Sequence, residues 1–204
     1  MTSVGSRSGA APSFLHSARG YRPGETALAG RLVGRPFSLE AEPVPDRVAA
    51  TVGASRASTT RLMVPTDVNF AGNVFGGHIL DEIDRVAYIT ATRHSQANCV
   101  TASFDRVDFL SPVHVGDVVD FEAELTYVGT SSMEVWVRVR AESTHGGDAR
   151  PVGEAFVTMV AVDANGRPIP VPPLLLETVE ERARFEEGRR RMEERRRTRH
   201  RRPS

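Results

Sequence analysis

Apolar and polar positions alternate with a clear rhythm only in the middle of the chain. Ser58 to Val64 reads as a strand that stops at Pro65. A loop follows from Pro65 to Gly77, holding Asn69, Gly72, Asn73, Gly76 and Gly77. Then Ile79, Leu80, Ile83, Val86, Ala87, Thr90 and Ala91 recur at helical spacing, which predicts a helix from about Gly77 to His94. Four strand-like runs come next. Residues 98–110 alternate through Val100, Ala102 and Phe104, and residues 117–128 through Phe121, Ala123, Leu125 and Tyr127. Residues 131–142 alternate through Met133, Val135, Val137, Val139 and Ala141, while residues 153–163 are nearly all apolar. Turn residues separate the runs: Pro112 to Gly116, Gly129, His145 to Asp148, and Asn165-Gly166. The pattern predicts an α+β domain of one strand, one helix and four antiparallel strands. A lone apolar-faced helix must bury its stripe, and a single curved sheet can wrap it. No parallel crossover is signalled, which argues against a doubly wound fold.

The flanks read differently. Residues 1–57 are rich in Gly, Ala, Pro, Ser and Arg, and Pro12, Pro23, Pro36, Pro43 and Pro45 interrupt any long element. A disordered or low-complexity extension is expected there. Its first 24 residues lack acids and carry Arg7, Arg19 and Arg22, as an organellar transit peptide would; a misassigned start would look the same. Residues 177–204 place Glu177, Glu180, Glu181, Glu186 and Glu187 before a run of arginines from Arg189 to Arg202. Acid first and base last suits a helix dipole. With only Val179, Ala183, Phe185 and Met192 apolar, this Arg-rich C-terminal helix is expected to be exposed or frayed. The division is therefore an extension (1–57), a core domain (58–176) and a charged tail (177–204).

Composition narrows the chemistry. The single cysteine among 204 residues excludes a disulfide framework or a cysteine-based zinc site. No apolar run approaches the ~18–20 residues of a membrane-spanning helix, and no secretory h-region is present, so a cytoplasmic protein is expected. The zero net charge hides a partition of +3 over residues 1–60, −7 over 61–176 and +4 over 177–204. Every basic residue is Arg, and a guanidinium binds phosphate bidentately.

One carboxylate sits in an unusual place. With Leu80 as zero and about 100° per residue, Asp84 falls roughly 40° round, on the edge of the apolar stripe. Asp81 and Arg85 lie on the polar face, where they can pair. A carboxylate at such a rim is costly without partners and holds its proton more tightly, as a general base near neutral pH requires. A hydrogen-bonded structural Asp fits the same position. Gly76-Gly77 before the helix lets a ligand approach free N–H groups that could hold an oxyanion, or it is simply a tight loop. No Gly-x-Ser-x-Gly elbow, dinucleotide fingerprint or P-loop is present, and the six histidines show no metal spacing. No metal or cofactor is expected. Cys99 reads as a small core residue.

The stretch Pro65-Thr-Asp-Val-Asn69-Phe-Ala-Gly-Asn-Val-Phe-Gly-Gly77-His-Ile-Leu-Asp-Glu-Ile-Asp84 resembles the hot-dog acyl-CoA thioesterases of the bacterial and brain-type cytosolic acyl-CoA hydrolase group. The resemblance continues through Val100 to Asp105, Asp108 to Val113, Val128 to Val135 and Ile169 to Pro173, and covers roughly residues 60–190. It implies a hot-dog fold and hydrolysis of fatty acyl-CoA to free acid and CoA. It further implies a catalytic pair, which falls on Asn69 and Asp84. Because this chain has one repeat, the resemblance implies composite sites in a homodimer, within a homohexamer of three dimers.

On that basis Asp84 is expected to act on water, Asn69 of the partner subunit to orient water or thioester, and the N–H groups at Gly77 to hold the oxyanion. Substrate contacts are expected from Asn73, Val74, Phe75 and Gly76 along the pantetheine. Thr101, Ser103, Ser131 and Ser132 are expected to contact substrate too, and Arg93 or Arg61 the CoA phosphates. Ile83, Ala87 and Phe104 are expected to wall an acyl tunnel. Two rivals compete. One is a non-catalytic acyl-CoA sensor that binds nucleic acid through nine arginines in residues 189–202. The other is an enoyl-CoA hydratase, which would want a His in the loop, where there is none.

Overall fold

The computed structural model describes residues 48–200. The transit-peptide-like composition and most of the expected extension fall outside the described residues. Order begins earlier than the expected boundary at residue 58. A short strand β1 (Ala50–Thr51) and one helical turn α1 (Val52–Ser55) precede β2 (Ala57–Leu62), and Val52, Ser55 and Ala57 are buried. Their apolar content is too low and too short in span to show a period.

A 3₁₀ turn at Pro65–Asp67 leads through the glycine-bearing loop to α2 (Gly76–Ser95). Four long strands follow: β3 (Asn98–Phe109), β4 (Asp117–Val128), β5 (Ser132–Ser143) and β6 (Arg150–Val162). β7 (Leu174–Leu175) pairs in parallel with β1, and α3 (Val179–His200) ends the chain. The main sheet is antiparallel with order β2-β4-β5-β6-β3. β3 and β2 are its edges. Its inner face buries Phe121, Leu125, Met133, Val135, Val137, Val157 and Met159 against α2. That is the hot-dog arrangement expected from the pattern.

α2 buries Ile79, Ile83, Val86, Ala87, Thr90, Ala91 and His94. Leu80 is only half-buried, so the stripe is centred nearer Ile83 than Leu80. Gln96 closes the helix in the left-handed region at φ 51°, its N–H reaching Thr92 O. His94 is buried at the last turn. Its Nε2 faces Pro172 O at 2.9 Å, and a carbonyl only accepts, so Nε2 carries the proton and Nδ1 accepts from Ser55 Oγ at 3.2 Å. Burial lowers the His94 pKa below the usual imidazole value, and the bond to Pro172 only partly offsets this.

The tail corrects the sequence expectation of an exposed helix. Thr178 and Glu181 cap α3 reciprocally, with Glu181 N–H to Thr178 Oγ1 at 3.1 Å and Thr178 N–H to Glu181 Oε2 at 3.2 Å. One face then lies on the outside of the sheet. Arg184 reaches Glu124 Oε1 at 2.5 Å, and Arg191 reaches Glu134 Oε1 at 2.8 Å. Arg195 contacts Asp105. Glu134 is 0% exposed and also accepts from Thr126 Oγ1 at 2.6 Å. Gly188 permits this approach, since a Cβ there would stand 2.8 Å from both Glu134 Oε1 and Tyr127 Cβ. The apolar stripe of the helix is sparse, with Phe185 on Tyr127 and Met192 buried, because the surface it covers mixes carboxylates with aromatic rings.

Two outcomes follow. Arg191→Met leaves the Glu134 carboxylate buried with the Thr126 hydroxyl and the Arg195 guanidinium at 3.9 Å, and should cost about 3 kcal/mol in urea unfolding; adding Glu134→Leu should restore most of it. Because His94 is held neutral, its contribution is complete above the unfolded imidazole pKa of about 6.5 and is lost as pH falls through the folded value. Stability should therefore decline from pH 7 toward 5 more steeply in the wild type than in His94→Gln, as read by thermal unfolding at each pH.

Candidate active site

Four local structures position the residues singled out by sequence. The first is the loop. Asn69 Oδ1 accepts from the N–H groups of Ala71 (2.9 Å) and Asn73 (3.3 Å), and the backbones of Asn69 and Asn73 also pair. Gly72 turns this loop at φ 81°. The side-chain oxygen of Asn69 is thus spent on its own loop, and its NH₂ makes no hydrogen bond among the described residues. Buried Asp67 anchors the loop, accepting from Val64 N–H at 3.0 Å and from Arg61 at 3.1 Å. Arg61 bridges onward to Glu82 of α2 at 2.7 Å. Arg61, expected at the CoA phosphates, is instead committed to this clamp. The sequence reading missed the clamp because its three members are separated along the chain and belong to no motif.

The second is the start of α2. No side chain caps it, and Gly76 and Gly77 are exposed there. Free N–H groups and the positive end of the helix dipole are presented to whatever lies in front. Asn73, Val74 and Phe75 lead directly into this end, with Val74 N–H bonded to Val113 O at 2.8 Å.

The third is Asp84. It is half-buried at the rim of the stripe, and Thr101 Oγ1 of β3 donates to its Oδ1 at 2.6 Å. Its second oxygen makes no hydrogen bond among the described residues. Asp81 and Arg85 pair on the outer face at 3.0 Å, as their spacing predicted. Around Asp84 and Thr101 the surface is apolar and open: Tyr88 is 41% exposed and Phe104 38%. Two edges meet here, one side of α2 and the unpaired side of β3.

The fourth group lies elsewhere. Ser103 donates to Asp105 at 3.1 Å, because the register shift between Thr101 and Ser103 turns it toward the other face of the sheet. Ser131 and Ser132 sit at the β4–β5 turn; Ser132 pairs with Val160, itself opposite Val100, so it stands two strands or roughly 10 Å across the sheet. Arg93 is nine residues past Asp84, about half a revolution round α2. It donates to Arg56 O at 2.7 Å and lines a cavity of about 490 Å³ with Arg56, Arg138 and Arg184. No hydrogen bond joins Asn69 to Asp84 among the described residues. Ile83 and Ala87 are sealed in the core and wall no tunnel. An apolar cleft of about 390 Å³ opens instead between the Asn73–Gly76 loop and residues 109–113.

The fold agrees with what similarity to known proteins shows. The thioesterase superfamily model matches residues 71–147. An uncharacterized acyl-CoA thioester hydrolase of Bacillus subtilis is 44% identical over 127 residues, which are 62% of this chain and 74% of that protein. An apo-hexameric acyl-CoA thioesterase superimposes with a TM-score of 0.71 at 41% identity, over 76% of this chain and all of that one. The acyl-CoA hydrolase of Staphylococcus aureus, solved with butyryl-CoA, CoA and CoA disulfide, has a TM-score of 0.67 at 36% identity, covering 73% and 91%. The chain belongs to the hot-dog thioesterase superfamily, among its acyl-CoA thioester hydrolases. It is accordingly an enzyme that hydrolyses acyl-CoA thioesters.

The S. aureus enzyme has also been solved with an asparagine, an aspartate and a threonine each replaced by alanine, at positions 15 and then 17 residues apart. The same intervals separate Asn69, Asp84 and Thr101.

Asn69→Ala removes the acceptor of two loop N–H groups, whereas Asn69→Asp keeps it. Amide hydrogen exchange over residues 69–75 should accelerate in the first variant and stay near wild type in the second.

Proposed function

We propose that this hydrolase cleaves fatty acyl-CoA with Asp84 as general base, in sites shared between two copies of the chain. The observation that carries the reading is the Asp84–Thr101 pair. A half-buried carboxylate, fixed through one oxygen by Thr101, keeps its other oxygen for a water molecule. Asp84 takes a proton as the water oxygen bonds to the thioester carbon. The carbonyl oxygen gains charge, and the N–H groups of the partner's Gly76 and the partner's Gly77 stabilise it, because those of Asp84's own helix start lie about 10 Å from Asp84 along α2. The carbon–sulfur bond then breaks, the proton passes from Asp84 to the departing CoA sulfur, and the fatty acid is released. Thr101 is a positioning residue in this scheme, which refines its expected role as a substrate contact. Arg93, Ser131 and Ser132 stand apart from the carboxylate in the same chain and take no part in these steps.

The partner subunit's Asn69 supplies its NH₂ to water or thioester. Three features support a second copy. No hydrogen bond joins Asn69 to Asp84 within one chain, the β3 edge is unpaired, and Tyr88 and Phe104 expose apolar surface beside it. The hexameric relative is consistent with three such dimers. No described helix is long and apolar enough to cross a membrane, and the substrate is taken as a water-borne CoA ester.

Asp84→Ala should lower kcat by about 10²–10⁴-fold in a thiol-release assay. Mixed with inactive Asn69→Ala protein under subunit exchange, it should recover part of the activity, since one site per mixed dimer is then intact. Near-wild-type turnover by Asp84→Ala would remove it from the base role, and no recovery on mixing would remove the shared site.

A further inference from the structure

β3 is irregular at two places close to Thr101. Between Thr101 and Ser103, and again between Phe104 and Arg106, its register with β6 slips by one residue. Ala102 and Asp105 are the extra residues, each the mark of a β-bulge. The first bulge decides what faces α2. Thr101 stands opposite Met159 and Phe104 opposite Val157, and both of those partners are buried on the inner face. Strict alternation sends two residues three apart to opposite faces of a sheet. With Ala102 inserted, Thr101 and Phe104 share the α2 side, and Thr101 Oγ1 reaches Asp84 Oδ1 at 2.6 Å.

β3 is an edge strand, so within the sheet β6 alone holds these bulges. A brace stands on the outer face. Ser103, just past the first bulge, donates to Asp105 Oδ1 at 3.1 Å. Thr158 of β6, opposite Ser103, donates to Asp105 Oδ2 at 3.3 Å. Arg195 of α3 pairs with the same carboxylate and also donates to Thr158 Oγ1. Glu134 is 3.9 Å from Arg195 but has Arg191 as its closer partner at 2.8 Å. The Arg195 and Asp105 side chains are 16% and 21% exposed, and buried Met192 packs beside Thr158, so the pair is partly shielded from water. One carboxylate thus ties together both bulges, the neighbouring strand and the C-terminal helix.

We infer that Asp105 and Arg195 are positioning residues for hydrolysis: they pin the bulges of β3 from the outer face, so that Thr101 keeps its hydroxyl on Asp84. The inference rests on the reading of Asp84 and Thr101 above and deepens it. Thr101 borders the first bulge, so a strand that relaxes there moves its hydroxyl off the carboxylate. α3 then serves the reaction from the far side of the sheet, without touching substrate.

The test is thiol release, with kcat and KM measured on the member of an acetyl- to palmitoyl-CoA series that the wild type turns over fastest. Asp105→Ala should lower kcat by about tenfold and leave KM within about twofold. Arg195→Ala should give a smaller loss of the same kind, and Arg195→Lys, which keeps the charge, should recover most of it. The deciding measurement is the combination with Thr101→Val. If Asp105 acts through Thr101, the double variant is no slower than the slower single one. A loss of folded protein would multiply with the Thr101→Val loss, and thermal unfolding of each variant checks this directly. Arg195→Ala with Thr101→Val repeats the comparison should Asp105→Ala fail to fold. Wild-type kcat in Asp105→Ala, a rise in KM alone, or losses that multiply would overturn the inference while leaving the hydrolase reading intact. Wild-type kcat in Thr101→Val would remove Thr101 from the scheme and this inference with it, and a wild type that releases no thiol from any member would overturn the hydrolase reading itself.

Discussion

Burial of one face of α2 in the concave side of a single sheet is the constraint on which the site depends. Seven side chains from Ile79 to His94 fix the helix rotation about its axis, and exchanging core for solvent at even one of them costs several times RT. Once that rotation is set, Asp84 has one place to go, the rim, where the helix leaves the sheet and β3 begins. Thr101 then meets it because β3 is the edge strand that runs past the helix on that side. The carboxylate needs no dedicated scaffold: its position is a by-product of packing a helix against strands.

The loop before α2 is held by a different force. Arg61 spans from β2 to both Asp67 in the 3₁₀ turn and Glu82 on the helix, so the strand, the loop and the helix share one guanidinium. With Asp67 buried, this bridge works in a partly water-excluded setting where charge pairing is stronger than on the open surface. The loop geometry therefore answers to the same helix that carries Asp84. Asn69 and Asp84, not hydrogen-bonded to each other in one protomer, are both indexed to one rigid element.

The periodic core was legible before any coordinates. The α2 stripe and the alternation in β4 and β5 bury large apolar side chains at regular intervals, and that is what a pattern of hydrophobicity records. Asn69 stood out as a candidate through resemblance, and the rim position of Asp84 through helical angle as well, which its half-buried place on α2 matches. Three things were not. The clamp of Arg61, Asp67 and Glu82 joins residues by charge across distant parts of the chain. The docking of α3 is hard to see in hydropathy because arginines do most of it: Arg184, Arg191 and Arg195 meet Glu124, Glu134 and Asp105, and Arg184 and Arg191 also lie over the Trp136 and Phe156 rings. The ordering of residues 50–57 depends on a handful of tertiary contacts, such as Ser55 with His94. The capping pair Thr178 and Glu181 was present as a motif, and its spacing alone marks where α3 begins.

The bare position at Gly188 has a consequence for how the chain end is addressed. Hydrophobic docking tolerates sliding, since one oily contact resembles the next. A helix seated by a missing side chain over Tyr127 and by guanidiniums matched to individual carboxylates has a single admissible register, and a shift of one residue would strand a buried negative charge. α3 therefore lies on the outer wall of the domain at one position and heading, on the opposite side of the sheet from the helix that carries Asp84.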